Sequence, residues 1–465
     1  MNYNLQISEW LCIILGIGYL IISFLILRAE YLRTNFKFAD SMSGLSWAFL
    51  LTVSLPTTAL YVCLPHMDLG AVGQLSLLGI AATKATPFVH MLLLALTAVS
   101  WASICLGYKI GGCTTRFWSP RLICNCPHVN RRAWIVTVAT GIIACTSAVI
   151  LMKTFQLASF GELVTFITFD YRVNWTSSTK GFLDSLAFSF INSLLPLSLL
   201  CLSIQSHWRV SKVLFSLPLA LILVLLSGSR RAALVLLLVM CMSQLSRSRR
   251  LAISIAFPLL IITIAVVLFG RSIIQTIGDG NLSRTEILSD QPWDHAGYIS
   301  SELAISQIES LSTLTWFDGW PRMGVDHLLS MLRLLPEKSI LGVEFAERFT
   351  RHATSQHIQD PSANDIPVGF IGAAWVDGYL LGIFFLPMTL GLITARFDIW
   401  IHSRDGISGP GWYAIAYLNF IIYFQTLNTG SLDFTMSPTN VFVGLMCVYI
   451  LTAHTSKQRR TPKLS

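Results

Sequence analysis

The sequence predicts an all-α polytopic integral membrane protein with about eleven transmembrane helices and one long, partly helical outer loop. Three observations predict this class. The 465 residues are 54% hydrophobic and only 12% charged, against roughly 25% charged in a soluble globular domain. Apolar runs of about 20 residues, long enough to cross ~30 Å of hydrocarbon, recur along the chain. Basic residues also concentrate on alternate sides of those runs, as the positive-inside rule requires. The net charge of +8 is therefore a topological signal, and nucleic acid is not expected as a partner.

The first run, 10–27, follows nine residues without Lys or Arg and precedes Arg28, Arg33 and Lys37. That order predicts a retained first helix with its N-terminus outside rather than a cleaved signal. Runs 43–64, 87–108 and 133–152 follow, and 70–85 reads as a short interfacial or re-entrant piece. Next come 185–204, the shorter pair 213–226 and 232–245, and 251–270. The last three runs are 369–395, 412–428 and 439–453. The expected division places helices one to eight in 1–270, with a medium outer loop at 153–184 and an arginine hairpin at 227–231. The long loop is 271–367, and 368–465 holds helices nine to eleven and a basic cytoplasmic tail.

Alternating sides from an outside N-terminus places 19 of the 32 Lys and Arg residues in short inner loops, with four of the 24 acids. Charged groups inside the spans are almost absent on this reading, with Asp377 the main exception. The long loop has 97 residues, enough for helices of its own. Ala304, Ile305, Ile308 and Leu311 fall at helical spacing, and 326–335 reads as an amphipathic helix on the membrane surface. None of the ten cysteines falls in that loop, so no disulfide framework is expected there. Cys113, Cys124, Cys126 and His128 share one basic inner loop, but their irregular spacing favours free thiols over a zinc site.

The feature that breaks the charge rule is the hairpin Ser227-Gly228-Ser229-Arg230-Arg231, which holds two guanidinium groups at the outer face. Arg172, Arg271, Arg284, Arg322, Arg333, Arg348 and Arg351 share that side. Guanidinium binds phosphate through a planar fork and stays charged at physiological pH. We take Arg230, Arg231, Arg172, Arg284, Arg322 and Arg348 as candidate diphosphate ligands. Trp175, Tyr298, Trp316 and Trp320 are candidate sugar-stacking faces, alongside the interfacial-belt role open to any of them. Asp294-His295 and Asp326-His327 are the foremost candidate bases, with Glu302, Asp318, Asp360 and Asp365 left open. Arginine to stabilise a departing diphosphate and a base for an incoming hydroxyl suffice for glycosyl transfer, so neither metal nor cofactor is expected. Phosphate-loop, His-Glu-x-x-His and Gly-x-Ser-x-Gly signatures are absent from the sequence.

Over about residues 213–390 the chain resembles the bacterial O-antigen and oligosaccharide repeat-unit polymerases of the Wzy type. Ser227 to Leu234 is similar to that family's small-residue, Ser-Arg, small-residue turn opening a helix. Gly297-Tyr298-Ile299-Ser300-Ser301 through Trp320 and the 326–336 helix match the layout of its long loop. Pro361-Ser362, Asp365, Gly369 and Gly372 resemble its return into the membrane. Arg231 departs from the pattern, since many members have a small residue there. The resemblance implies an inner-membrane protein with N-terminus and long loop in the periplasm and C-terminus in the cytoplasm. It implies transfer of a growing glycan from undecaprenyl diphosphate onto a new lipid-linked repeat unit. Donor and acceptor diphosphates would sit on Arg230, Arg172 and loop arginines, with His327 or a nearby acid as base. A flippase, a chain-length regulator and membrane lipids are the implied partners. The alternatives are an O-antigen ligase, whose His-Asn pair this loop lacks, and a flippase or transporter of lipid-linked oligosaccharide.

Overall fold

The computed structural model describes residues 7–34, 40–66, 85–112, 127–166, 186–187, 190–191, 296–297, 300–301, 303–317, 319–325, 327, 368–402, 409–430 and 438–452. Among the described residues every regular element is helical, and no strand occurs. Among the described residues five stretches are long and apolar enough to cross a membrane: Glu9–Thr34, Ser41–His66, Pro87–Ile110, His128–Thr154 and Phe370–Ile401. The expected spans at 185–204, 213–226, 232–245 and 251–270 lie outside the described residues or are barely touched by them.

Helix α1 (Glu9–Thr34) shows how the bilayer inverts the usual pattern. Trp10, Ile13, Ile14, Ile17, Ile21 and Phe24 are exposed, while Tyr19, Ser23 and Glu30 are buried. Lipid tails solvate apolar side chains, so polar groups turn inward to find partners. The helix continues past the apolar run because Glu30 and Arg33 are held by neighbours rather than by water.

A second rod consists of α2 (Ser41–Phe49), a π-turn (Leu50–Ser54) and α3 (Leu55–Cys63). Asp40 caps it, accepting from the Ser43 amide at 2.8 Å. The π-turn lies where Pro56 enters: proline has no N–H to continue the ladder, and the Leu55 amide reaches back five residues to Leu50. Thr52 bonds the Ala48 carbonyl and Thr57 that of Val53.

The closest packing joins α4 (Pro87–Ile110) to α8 (Phe370–His402), after α5 (Pro127–Thr154), α6 (Phe160–Thr165) and α7 (Ile305–Trp316). Gly107 lies against the Met388 carbonyl, Gly391 against that of Ile104, and Gly111 against Ala395. Gly391 also meets the Tyr108 amide, so the contacts 107–388, 108–391 and 111–395 advance together and make the two helices parallel, and the absent side chains let the backbones touch. Gly107→Leu drives a side chain into the α8 backbone. Its expected outcome is loss of the monodisperse peak when the detergent-solubilised protein is run on size-exclusion chromatography. A normal peak would mean that the helices are not in contact there.

Helix α8 is broken at Gly378 and Tyr379, not at Pro387. Tyr379 has φ 51°, outside helical geometry, and the chain doubles back so far that Gly382 meets the Ala374 carbonyl. Residues 370–377 thus form a short helix of their own, packed on α7. Ser306 and Ser310 of α7 accept from the Phe370 and Gly372 amides at 3.4 and 3.1 Å, satisfying first-turn donors that no helical carbonyl can reach. Along α7, Ser306, Gln307, Ile308, Glu309 and Ser310 are all buried. This segment of the long loop is therefore a polar helix inside the bundle, at the predicted helical spacing.

The chain closes with α9 (Gly409–Asn419), a second π-turn (Phe420–Phe424), α10 (Gln425–Thr429) and α11 (Pro438–Thr452). Ser306 donates to the Leu427 carbonyl at 2.6 Å, tying α7 to α10. Arg132 of α5 donates to the Tyr449 carbonyl at 2.8 Å and lies over the Tyr449 ring.

Candidate functional site

The break in α8 is where candidate residues meet. Breaking the helix frees the Val376 and Asp377 carbonyls, and a strap formed by 319–327 takes them up. The Arg322 amide donates to Val376 and the Met323 amide to Asp377, each at 3.0 Å. The Gly324 amide donates to Asp377 Oδ1 at 3.1 Å. The other carboxylate oxygen, Oδ2, stands 2.8 Å from His327 Nε2. Met323 and Gly324 reach this geometry with φ of 51° and 77°, so the strap turns sharply enough to point amides at one carboxylate.

Aromatic rings hold the break from the other side. Tyr379 lies 5.6 Å from the Phe317 ring and edge-on to Trp375 at 5.0 Å. Its hydroxyl donates to the Gly319 carbonyl at 2.6 Å. A non-glycine residue in this region of φ stores about 1–3 kcal/mol of strain and persists only where its surroundings over-determine it. Here Phe317, Gly319 and Trp375 supply that constraint. Tyr379→Phe should cost about 0.5–1.5 kcal/mol, the net worth of one hydrogen bond. The expected readout is faster protease cleavage within 319–325, with the melting temperature lowered slightly. Unchanged cleavage would mean that the rings alone fix the strap.

The sequence-derived residues divide clearly. His327 is in contact with Asp377, and Arg322 sits in the same strap, half-buried. Trp316 ends α7 and is half-buried, whereas Trp320 is 92% exposed, with Met323 beside it at 78%. An exposed indole in the segment that holds the His–carboxylate pair is available to stack on a sugar or to sit among lipid headgroups. Asp294, His295, Asp326, Tyr298, Arg172, Trp175, Arg230, Arg231, Arg284 and Arg348 lie outside the described residues, as do Cys113, Cys124 and Cys126. Among the described residues no three His, Cys, Asp or Glu side chains are arranged to hold a metal, and Cys12, Cys63, Cys105, Cys145 and Cys447 are free.

Sequence reasoning missed Asp377 and Tyr379 as site residues. The signal was present: Asp377-Gly378 is a turn dipeptide inside an otherwise apolar run.

A second polar cluster lies at the other end of α8. Arg33 pairs with Glu30 at 2.9 Å and with Asp40. Asp398 accepts from the Ser41 and Met42 amides at 2.7 and 3.1 Å and from the Tyr108 hydroxyl at 3.0 Å. Burial pushes the Asp40 carboxyl up, but the Arg33 guanidinium and the Ser43 amide outweigh it and hold the group below the usual carboxylate range. Glu30 and Asp398 are 3% and 0% exposed, and His90 is buried in α4. The expectation that charges are almost absent from the spans is therefore corrected. Glu30, Asp40 and Asp398 stand at the ends of apolar runs, where a hydropathy scan reads them as loop, whereas His90 lies inside the run 87–108.

No protein-family model matches the chain, and it matches no characterised protein in sequence and no solved structure in fold.

Proposed function

We propose that the protein is a membrane glycosyltransferase that polymerises undecaprenyl-diphosphate-linked repeat units at the outer face of a bacterial inner membrane. The observation that carries this reading is the His327–Asp377 pair, set at a break in a membrane helix and held by a strap that also carries the exposed Trp320. In the proposed reaction His327 takes the proton of the acceptor hydroxyl as its oxygen bonds to the anomeric carbon. The bond from that carbon to the diphosphate breaks, and the diphosphate leaves with the electron pair. Asp377 orients the imidazole and stabilises its charged form. Arg322, with Arg230, Arg231, Arg172, Arg284 and Arg348, would bind diphosphate. Trp316, Trp320, Trp175 and Tyr298 would carry sugar faces, and Asp326, Asp294 and His295 are the remaining candidate acid–base groups. No metal or other cofactor is required by these steps. The lipid-linked donor and acceptor, membrane lipids, a flippase and a chain-length regulator are the proposed partners.

The test is the surface-glycan gel of a deletion strain complemented with wild type, Arg230→Ala or His327→Ala, with expression checked. Core bearing a single repeat unit, extended to a ladder only by wild type, supports the proposal. Core with no repeat unit supports a ligase or a transporter instead. The buried Glu30, Asp398 and His90 favour the transporter as the second reading, since ionisable groups within membrane helices commonly line ion or substrate pathways.

A further inference from the structure

We propose that the protein conducts protons across the membrane along a buried polar stripe on α1 and α4, from His90 to Asp398. The stripe follows from helical periodicity. The buried face of α4 carries His90, Thr97, Ser100, Ser103 and Tyr108. Eighteen residues at 1.5 Å each span about 27 Å, close to the ~30 Å thickness of the hydrocarbon. The buried face of α1 adds Tyr19, Ser23, Glu30 and Thr34.

The two ends of the stripe are joined to titratable groups. At one end the Tyr61 hydroxyl meets His90 Nδ1 at 2.6 Å. Tyr61 stacks on Tyr19 at 5.9 Å between centroids, and the Tyr19 hydroxyl donates to Gln307 Oε1 at 3.5 Å. At the other end the Tyr108 hydroxyl donates to Asp398, beside Asp40, Glu30 and Arg33. Tyr423 of the second π-turn also faces Asp398 and Asp40. Three carboxylates face one guanidinium in this cluster, a composition suited to taking up and releasing a proton.

An independent observation comes from the middle and the outer end. His90 Nε2, Ser100 Oγ and Gln307 Nε2 are fully buried and make no hydrogen bond among the described residues. Buried polar atoms are normally satisfied, by water where the protein offers nothing. All three belong to the stripe or its first branch. Thr97 and Ser23 donate to the Leu93 and Tyr19 carbonyls of their own helices at 2.7 and 2.9 Å, whereas these three atoms offer open positions where a proton can be received and passed on. In the proposed step hydronium on the outer side gives up a proton and leaves as water; the proton reaches the buried His90 Nε2 through water entering the bundle, moves on along hydroxyls and water, and is held by Asp398 before its release to water on the inner side. No bond other than those to the proton is made or broken.

The test uses the purified full-length protein in vesicles of phosphatidylethanolamine and phosphatidylglycerol with a trapped pH-sensitive dye, driven by a valinomycin potassium potential. Proton uptake above that of protein-free vesicles is expected, falling to the protein-free rate in His90→Gln and Asp398→Asn. Tyr61→Phe removes only a hydroxyl from a packed ring and should slow uptake without unfolding the bundle. Wild-type uptake no faster than that of protein-free vesicles overturns the proposal, as does wild-type uptake in all three variants. The inference is independent of glycan polymerisation, whose failure appears in the gel ladder and not in proton uptake.

Discussion

His327→Ala should leave a strain with surface core bearing one repeat unit and no ladder, at unchanged protein level. The effect should be large because a positioned general base is worth about 10²–10⁴-fold in rate. Asp377→Asn is the more discriminating variant. Asparagine keeps the shape and still accepts from the Gly324 amide, so the strap on the α8 break should hold. It removes the charge that faces His327 Nε2 at 2.8 Å, and with it the stabilisation of the imidazolium formed in the transition state. The expected result is a short, faint ladder at the wild-type melting temperature. A full ladder from Asp377→Asn, with none from His327→Ala, would show that the imidazole works without the carboxylate. Full ladders from both would remove the pair from the chemistry.

Arg33→Ala should be the most destabilising single change among the described residues. It removes the one guanidinium among the described residues in contact with Glu30 and Asp40, each buried beside it. Breaking a buried pair by deleting one partner costs about 3–5 kcal/mol, because the other charge stays buried without compensation. The pH dependence gives a second readout with a definite sign. In the wild type Arg33 holds Asp40 low, so the stability it confers is present at neutral pH and is lost only as pH falls through that depressed value. In the variant the Ser43 amide still favours the carboxylate, but burial, the largest influence on the group, is no longer opposed by the guanidinium and raises the Asp40 carboxyl, so the folded state binds protons more readily than the unfolded one. Acidification from neutral toward pH ~5 should then raise the melting temperature of Arg33→Ala, over a range where Asp40 stays ionised in the wild type. A parallel pH response in the two proteins would mean that the carboxylates do not depend on Arg33.

The sequence by itself determined the class of the molecule and the position of several helices. Hydropathy is enough for that, because in hydrocarbon every backbone polar group must be satisfied within its own segment. Runs at 10–27, 43–64, 87–108 and 133–152 accordingly match four of the five long apolar helices, and 369–395 covers the fifth without foretelling its break at Gly378 and Tyr379. The helical spacing of Ala304, Ile305, Ile308 and Leu311 likewise matches α7. His327 and Arg322 were legible as candidates because a charged or titratable group in a Trp-rich loop invites a chemical reading.

Tertiary structure decided what those groups face. Asp377 and His327 are 50 positions apart in the chain, and no periodicity relates them. Only the reversal at Gly378–Tyr379, held by Phe317 and Gly319, brings the carboxylate to the imidazole. The same holds for Glu30, Asp40 and Asp398, which read in sequence as ordinary inner-loop acids. A hydropathy scan averages over a window and therefore ends a span where charge begins. Packing follows a different criterion: a charge enters the bundle wherever a partner on another helix offsets its loss of water, and that partner is set by the fold alone.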